Sequence, residues 1–145
     1  WRDSWNTIRM AKELGLKTCC GGLFGLGETI AQRVELLAAV AELDVDSVPL
    51  NFFNPVPGTR IENPYPLSPL ECLKIIAVAR LMLPGKEIRV CGGREHHLRD
   101  LQSWLLICGA DGLMVGGYLT TRGRRVEDDL DMIRSAGFEV TGHEC

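Results

Sequence analysis

The chain has 145 residues, of which 46% are hydrophobic and 24% charged, and its formal net charge is −3 at pH 7. These values are typical of a globular protein and exclude disordered and collagen-like chains. The 16 basic and 19 acidic residues leave no basic excess for binding nucleic acid. No apolar run approaches the about 20 residues that cross a membrane. Six cysteines without a Cys-x-x-Cys pair favour the reduced thiols of a cytoplasmic protein over a zinc ribbon or a disulfide framework.

Helical and strand-like segments alternate along the chain. Apolar residues at helical spacing predict helices at residues 5–14, 29–43, 69–83, 98–108 and 126–135. Between them, short β-prone runs predict strands at residues 17–24, 46–53, 87–91 and 111–115. This order predicts parallel strands joined by right-handed crossovers. It fits either a doubly wound open sheet or half of a (β/α)8 barrel, and both bind ligands at the carboxyl ends of their strands.

A glycine-rich segment, CCGGLFGLGE, follows the first predicted strand at residues 19–28. It lacks both the dinucleotide fingerprint and the lysine of a phosphate loop. Its glycines fit either a tight structural turn or a binding loop. Neighbouring strand residues face opposite ways, so only one of Cys19 and Cys20 can point into a barrel. A thiolate there could ligate iron or zinc, whereas a small buried hydrophobic residue is the simpler interpretation.

The strand at residues 87–91 contains an arginine. Alternation places Arg89 on the same face as Cys91. A buried arginine needs an anion or a polar partner, because burying it unpaired is costly. An internal salt bridge with Glu95 or Glu28 is the ordinary outcome.

Several smaller features accompany these strands. Asn51 can offer a donor and an acceptor to a polar ligand, or it can tie down the Pro-rich loop that follows its strand. Pro49, in the same strand, is best tolerated at an edge or a bulge. His96 and His97 resemble a metal pair, but adjacent side chains diverge on a helix, so a solvated helix start is expected. The acidic run at residues 127–129 is predicted to form the first turn of a helix.

Four stretches then match one family in order and spacing. They are GLKTCCGGLFGLGET, DSVPLNFFNPVPGT, ECLKIIAVARLMLPGKEIRVCGGRE and GADGLMVGGYLTT. Together they resemble the biotin synthase family of radical S-adenosylmethionine enzymes. The resemblance implies an α/β fold, the carboxyl-terminal half of a (β/α)8 TIM-type barrel with about four strand–helix units. Residues 1–145 would then be a single partial barrel domain.

The resemblance implies sulfur insertion into dethiobiotin, the last step of biotin biosynthesis. In that family a [4Fe–4S] cluster cleaves S-adenosylmethionine to a radical, and a [2Fe–2S] cluster supplies the sulfur. The family also implies a homodimer. The Cys-x-x-x-Cys-x-x-Cys motif that holds the four-iron cluster is absent from this sequence. We therefore expect this chain alone to be inactive.

Site residues are implied by the same resemblance. Cys19 matches a thiolate ligand of the two-iron cluster and Arg89 its nitrogen ligand. Cys20 and Cys91 are possible competing ligands, since one is the neighbour of Cys19 and the other shares the face of Arg89.

Ligand contacts are implied at five further positions. Leu23 and Asn54 match positions near the adenosyl group, and Asn51 matches one near the ureido ring of the substrate. Thr120 and Thr121 match a region near the substrate carboxylate, where a simple turn is the alternative.

Two other interpretations stay open. The chain could belong to another radical S-adenosylmethionine enzyme that shares this region, in thiazole synthesis or hydrogenase maturation. It could also be a non-catalytic half-barrel fragment, with exposed strand edges at KTCC and DGLMV that invite pairing.

Overall fold

The structure is a computed structural model that describes residues 2–61, 66–118 and 122–141. Over these residues four parallel strands form one open sheet in the order β1-β2-β3-β4. The strands are β1 Gly22–Phe24, β2 Ser47–Phe52, β3 Glu87–Val90 and β4 Gly112–Leu113. The helices are α1 Arg2–Glu13, α2 Ile30–Leu43, α3 Pro69–Met82, α4 Arg94–Leu98, α5 Trp104–Ile107 and α6 Val126–Ser135. No helix in the described part of the chain is long and apolar enough to span a membrane.

The two longest crossover helices, α2 and α3, both begin at capping boxes. The Ser68 side chain accepts a hydrogen bond from the Glu71 backbone N–H, and the Glu71 carboxylate accepts one from the Ser68 N–H. Thr29 and Gln32 make the same reciprocal pair at α2. Each cap satisfies backbone donors that a helix start leaves open and contributes about 1 kcal/mol. The predicted start of α3 at a capped proline is confirmed.

The sheet buries one of its faces beneath helices. Val48, Leu50 and Phe52 of β2 and Ile88 and Val90 of β3 are all at most 1% exposed. They alternate in sequence with residues of the opposite face, because successive strand side chains point to opposite sides. We call the buried side the helix-covered face and the other side the open face.

Pro49 lies in β2, between β1 and β3, and so not at an edge of the sheet. The pairing of β1 with β2 starts one residue after Pro49, between Gly22 and Leu50. Proline has no N–H to give to a neighbouring strand, so the ladder is interrupted beside it. Gly21 allows the two backbones to approach there, since a Cβ on it would lie 1.9 Å from the carbonyl oxygen of Pro49.

The predicted continuous helix over residues 98–108 is also wrong. The chain instead forms α4, a 3-10 turn at Arg99–Leu101 and then α5. Arg99 adopts a left-handed conformation with φ 49°, which a continuing helix cannot accommodate. This turn lets Leu98 and Leu105 both reach the core, where each is fully buried.

Candidate functional site

A cleft of about 540 Å³ opens beyond the carboxyl ends of β1 and β2. Leu23 and Asn51 line it from the strands, and Phe53, Asn54 and Val56 line it from the following loop. Its volume lies within the range of about 300–1,000 Å³ that is usual for small-molecule sites. The structure thus brings together three of the predicted ligand contacts, Leu23, Asn51 and Asn54.

Asn51 connects β2 to the turn that follows β3. Its Oδ1 accepts a hydrogen bond of 2.9 Å from the backbone N–H of Gly92. The expected link to the Pro-rich loop is therefore replaced by a link to the neighbouring strand. This bond orients the amide so that Nδ2 is the atom offered to a ligand. Gly93 closes the turn with φ 79°, and a Cβ there would lie 1.9 Å from the carbonyl oxygen of Phe52.

Tyr118 completes the wall of the cleft, and sequence reasoning missed it. Its hydroxyl donates a 3.3 Å hydrogen bond to the carbonyl oxygen of Cys91. Burial raises the pKa of the Tyr118 phenol, so the group is a donor at neutral pH. The feature of the sequence that could have indicated Tyr118 is its position shortly after β4. Thr120 and Thr121, predicted near the substrate carboxylate, lie outside the described residues.

The predicted metal ligands lie on the open face, nearer the amino ends of the strands. Cys19 is exposed and pairs with Ser47 in an isolated bridge. Arg89 is half-buried between two core residues of β3, on the same face as Cys19. Cys20 instead packs partly against the core, and burial followed by the nearby Cys19 thiol raises its pKa. The geometry therefore separates the two neighbouring cysteines by face.

Arg89 forms the salt bridge that was expected, but with a different partner. Its Nε and Nη2 donate to the two carboxylate oxygens of Glu87 at 2.8 and 3.0 Å. Glu87 lies two residues earlier on the same face of the same strand, so its carboxylate is within reach of the Arg89 side chain. Of the expected partners, Glu28 pairs with Arg33 and Glu95 accepts from the backbone N–H of Arg124.

Part of the glycine-rich segment is a structural turn. The Glu28 carboxylate accepts hydrogen bonds from the backbone N–H groups of Gly25 and Leu26 at 2.8 to 3.0 Å. Burial opposes ionisation of Glu28, but the hydrogen bonds from Gly25 and from Arg33 outweigh it and lower its pKa. These amides already bind an anionic group, so this turn is not an anion site. The glycines nearer Leu23 line the cleft instead.

The donor set on the open face fits one side of an iron–sulfur site. Cysteine thiolates are the usual ligands of such clusters, and the Cys19 side chain is exposed on this face. The bridge at Cys19 and strand β3 flank β2 on either side, and strands in that relation are about 10 Å apart. On the intervening strand, the buried Ser47 hydroxyl lacks a hydrogen-bond partner among the described residues. These residues contain no group of three acidic, cysteine or histidine side chains that could hold a metal ion alone.

Cys91, the other possible competitor, stays less accessible than Cys19. It is 7% exposed and contacts the carbonyl oxygen of Arg89 through its sulfur at 4.0 Å. Burial and then the nearby Cys19 thiol raise the pKa of Cys91. The thiolate form of Cys91 is therefore disfavoured relative to an ordinary cysteine.

A fully buried ion pair lies near the carboxyl end of β3. Arg94 pairs with Asp129 of α6, and neither side chain is exposed to solvent. Arg94 also donates to Gln102 and, at 3.2 and 3.3 Å, to the carbonyl oxygen of Met114. The predicted acidic first turn of α6 is confirmed, but its third carboxylate is part of the core. Arg94 thus ties the turn after β3 to β4 and to α6.

The two adjacent histidines differ in environment. His96 is exposed, as expected for a solvated helix start. His97 is only 4% exposed, so the expectation is wrong for this residue. Its ring contacts backbone oxygens of Phe53 and Leu67, which are distant in sequence.

Comparison with known families shows which family this chain belongs to. The family model of the Biotin and Thiamin Synthesis associated domain matches residues 49–139. The chain belongs to this family. The matched residues include most of β2, all of β3 and β4, and the loop that lines the cleft.

Curated relatives extend the match over nearly the whole chain. The biotin synthase of Geobacter metallireducens is 58% identical over 142 residues, covering 98% of this chain and 43% of the relative. That of Geotalea uraniireducens is 57% identical over 140 residues, covering 97% and 43%. This chain thus spans less than half the length of these relatives and matches their carboxyl-terminal part. The predicted resemblance to biotin synthases is confirmed.

A solved structure supports the architecture. The crystal structure of methylornithine synthase superposes with a TM-score of 0.74 at 27% identity, covering 94% of this chain and 44% of that chain. The four parallel strands match the carboxyl-terminal half of its TIM-type barrel. The predicted α/β half-barrel is confirmed. That residues 1–145 form one domain by themselves stays a prediction.

Proposed function

We propose that this chain forms the carboxyl-terminal half of a biotin synthase, a sulfurtransferase that converts dethiobiotin to biotin by radical S-adenosylmethionine chemistry. The observation that carries the proposal is the 55–58% identity to curated biotin synthases. The geometry supports it, because Cys19 and Arg89 share the open face beneath a cleft lined by Leu23, Asn51 and Asn54.

Cys19 and Arg89 would hold the [2Fe–2S] cluster from the two segments that flank β2. When bound, that cluster would supply the sulfur atom, and S-adenosylmethionine with the [4Fe–4S] cluster would supply the radical. Cys19 contributes a thiolate that is accessible on the open face. Arg89 would contribute a nitrogen lone pair, which requires its guanidinium to lose a proton and to release the Glu87 carboxylate that it pairs with in this structure. The remaining protein ligands would come from outside this chain.

The cleft residues would bind and orient the organic ligands. Asn51, with its Oδ1 held by Gly92, would donate from Nδ2 to the ureido carbonyl oxygen of dethiobiotin. Leu23 and Asn54 would contact the adenosyl group, since both line the cleft. Thr120 and Thr121 would hold the substrate carboxylate. In the sequence they follow β4, and barrels of this type bind ligands at the carboxyl ends of their strands.

The whole enzyme would be a cytoplasmic homodimer, and the isolated chain would be inactive. Its sequence lacks the cysteine motif for the four-iron cluster. The free cysteines of the described residues agree with a compartment that keeps thiols reduced.

A second candidate is a non-catalytic half-barrel that binds a partner chain. The edge strands β1 and β4 favour it, because unpaired strand edges invite pairing. Gel filtration of the isolated chain, with iron analysis, tests it. A monomer that binds no iron would contradict partner binding through these edges in solution.

A chimera tests the proposed enzyme function. This chain would replace the matching carboxyl-terminal part of the Geobacter metallireducens biotin synthase, and growth of a biotin auxotroph without biotin would be measured. We expect the chimera to restore growth, whereas the same relative truncated before that part should not. A folded chimera that carries iron yet fails to restore growth would contradict the proposal and favour another radical enzyme, such as one of thiazole synthesis.

A further inference from the structure

The loop between β2 and α3 forms one wall of the cleft. It starts at Phe53, whose N–H donates a 2.8 Å hydrogen bond to the carbonyl oxygen of Phe24. Its residues Asn54 and Val56 line the cleft together with Phe53. It ends at the buried Leu67, directly before the capping box of α3. A loop of this length needs fixed ends to present a defined wall, because ordering its backbone costs entropy.

A single side chain from α4 reaches both ends of this loop. His97 Nε2 lies 2.8 Å from the carbonyl oxygen of Phe53, and Nδ1 lies 3.2 Å from that of Leu67. The ring is buried, and it stands edge-on to Phe52 at 6.2 Å between centroids. The His97 backbone is itself anchored, since its N–H donates to the carbonyl oxygen of Gly93 at 3.1 Å.

These two contacts have a definite chemical requirement. A carbonyl oxygen only accepts, so each contact is a hydrogen bond when the facing ring nitrogen carries a proton. The neutral imidazole satisfies one of the two carbonyls and the imidazolium satisfies both. Buried backbone oxygens need such partners, and leaving them without one is costly. His97 is therefore placed to link the two ends of the loop through one rigid ring.

We propose that His97 is a positioning residue that clamps both ends of the β2–α3 loop and so fixes the cleft wall at Phe53, Asn54 and Val56. A ligand entering the cleft then meets a wall that is already ordered, which lowers the entropic cost of binding. The inference depends on the proposed function in one respect only, which is that the adenosyl group is the ligand that Asn54 would contact. The clamp itself holds for any occupant of the cleft.

Hydrogen–deuterium exchange on this chain, without any ligand, tests the clamp. His97→Phe keeps a flat ring but removes both ring nitrogens, and His96→Phe makes the same change on the exposed neighbour. We expect His97→Phe to speed exchange in peptides covering residues 53–57 by about tenfold, the scale of one lost hydrogen bond. Peptides of α2 should not change, and His96→Phe should match the wild type. His97→Gln, which retains an amide with two N–H donors, should restore most of the protection.

Three outcomes would overturn the proposal. One is wild-type exchange of residues 53–57 in His97→Phe, and another is equal acceleration in His96→Phe. If His97→Phe unfolds as a whole, the nitrogen-15 spectrum of histidine-labelled wild-type chain decides. A slowly exchanging ring N–H on His97 supports the clamp, and rapid exchange at both ring nitrogens excludes it. Because no ligand is used, these results are independent of whether the proposed enzyme activity is correct.

Discussion

The two faces of the sheet use the same strands for different purposes. On the helix-covered face, Leu50 and Ile88 are fully buried and belong to the core. On the open face, their immediate neighbours Asn51 and Arg89 remain half-buried and polar, and Cys19 is exposed. Alternation along a strand therefore separates residues that stabilise the fold from those available for chemistry. The consequence of a substitution should depend on which face its position occupies.

Thiol reactivity gives the largest expected difference between the open face and the core. Burial raises the pKa of Cys72, on α3, to about 12 from an ordinary value of 9.0. At pH 8 this lowers its thiolate fraction about a thousandfold, since each pKa unit is a factor of ten. Iodoacetamide labelling followed by peptide mass spectrometry should modify Cys19 rapidly and Cys72 only after unfolding. Equal labelling of both in the native chain would contradict the burial of Cys72 in the core and the exposure of Cys19.

The buried ion pair is where a charged residue behaves as part of the core. Asp129→Asn removes the fully buried anionic partner of Arg94 and leaves it only the more distant Glu95 carboxylate, at 3.5 Å, so we expect the free energy of unfolding to fall by about 3–5 kcal/mol. Asp128→Asn is the matched control, because Asp128 pairs with the exposed Arg125 and should contribute no more than about 1 kcal/mol. Urea unfolding of both variants measures the difference. Similar losses in the two variants would disprove the buried role of Asp129.

Adjacent residues of β2 sharpen the comparison within one strand. Leu50→Ala should lower the free energy of unfolding by about 2–5 kcal/mol, because it leaves a cavity in the core. Asn51→Ala removes the hydrogen bond to Gly92 and should cost only about 1 kcal/mol. Denaturant unfolding gives both values. A larger loss for Asn51→Ala than for Leu50→Ala would reverse the roles assigned to the two faces.

The smallest expected effect lies on the surface, away from both faces. Lys12 and Lys86 bind Asp44 and lower its pKa from 3.8 to about 2. A carboxylate whose pKa is lowered by folding stabilises the native state above its unfolded pKa, and this contribution disappears as the pH falls towards 2. Asp44→Asn, which tolerates the left-handed φ of 50° at this position, should therefore flatten the loss of stability between about pH 4 and pH 2. An unchanged acid profile, measured by thermal unfolding, would show that the bridge contributes nothing.

Much of the fold could be predicted because its signals are local. Alternation in residues 87–91 placed Arg89 and Cys91 on one face. Ser68 with Glu71 marked the start of α3, and α6 has the predicted bounds. The cleft was predictable only through the family resemblance, which implied that Leu23, Asn51 and Asn54 lie near ligands, and all three line the cleft.

The rest depends on partners distant in sequence. His97 is buried by carbonyls of Phe53 and Leu67, and Asp129 by Arg94. Nothing in the neighbouring residues indicates either contact. The break between α4 and α5 was missed for a related reason, because the apolar spacing runs through the left-handed Arg99 as if the helix continued.

The central claim is that the open face of this chain supplies the Cys19 thiolate to an iron–sulfur cluster. The direct test is the iron and acid-labile sulfide content of the chimera that carries either Cys19→Ser or the matched control Cys20→Ser. We predict that Cys19→Ser loses the iron and sulfide of the two-iron cluster, whereas Cys20→Ser keeps the content of the unmodified chimera. Loss of that cluster in Cys20→Ser together with its retention in Cys19→Ser would contradict the claim.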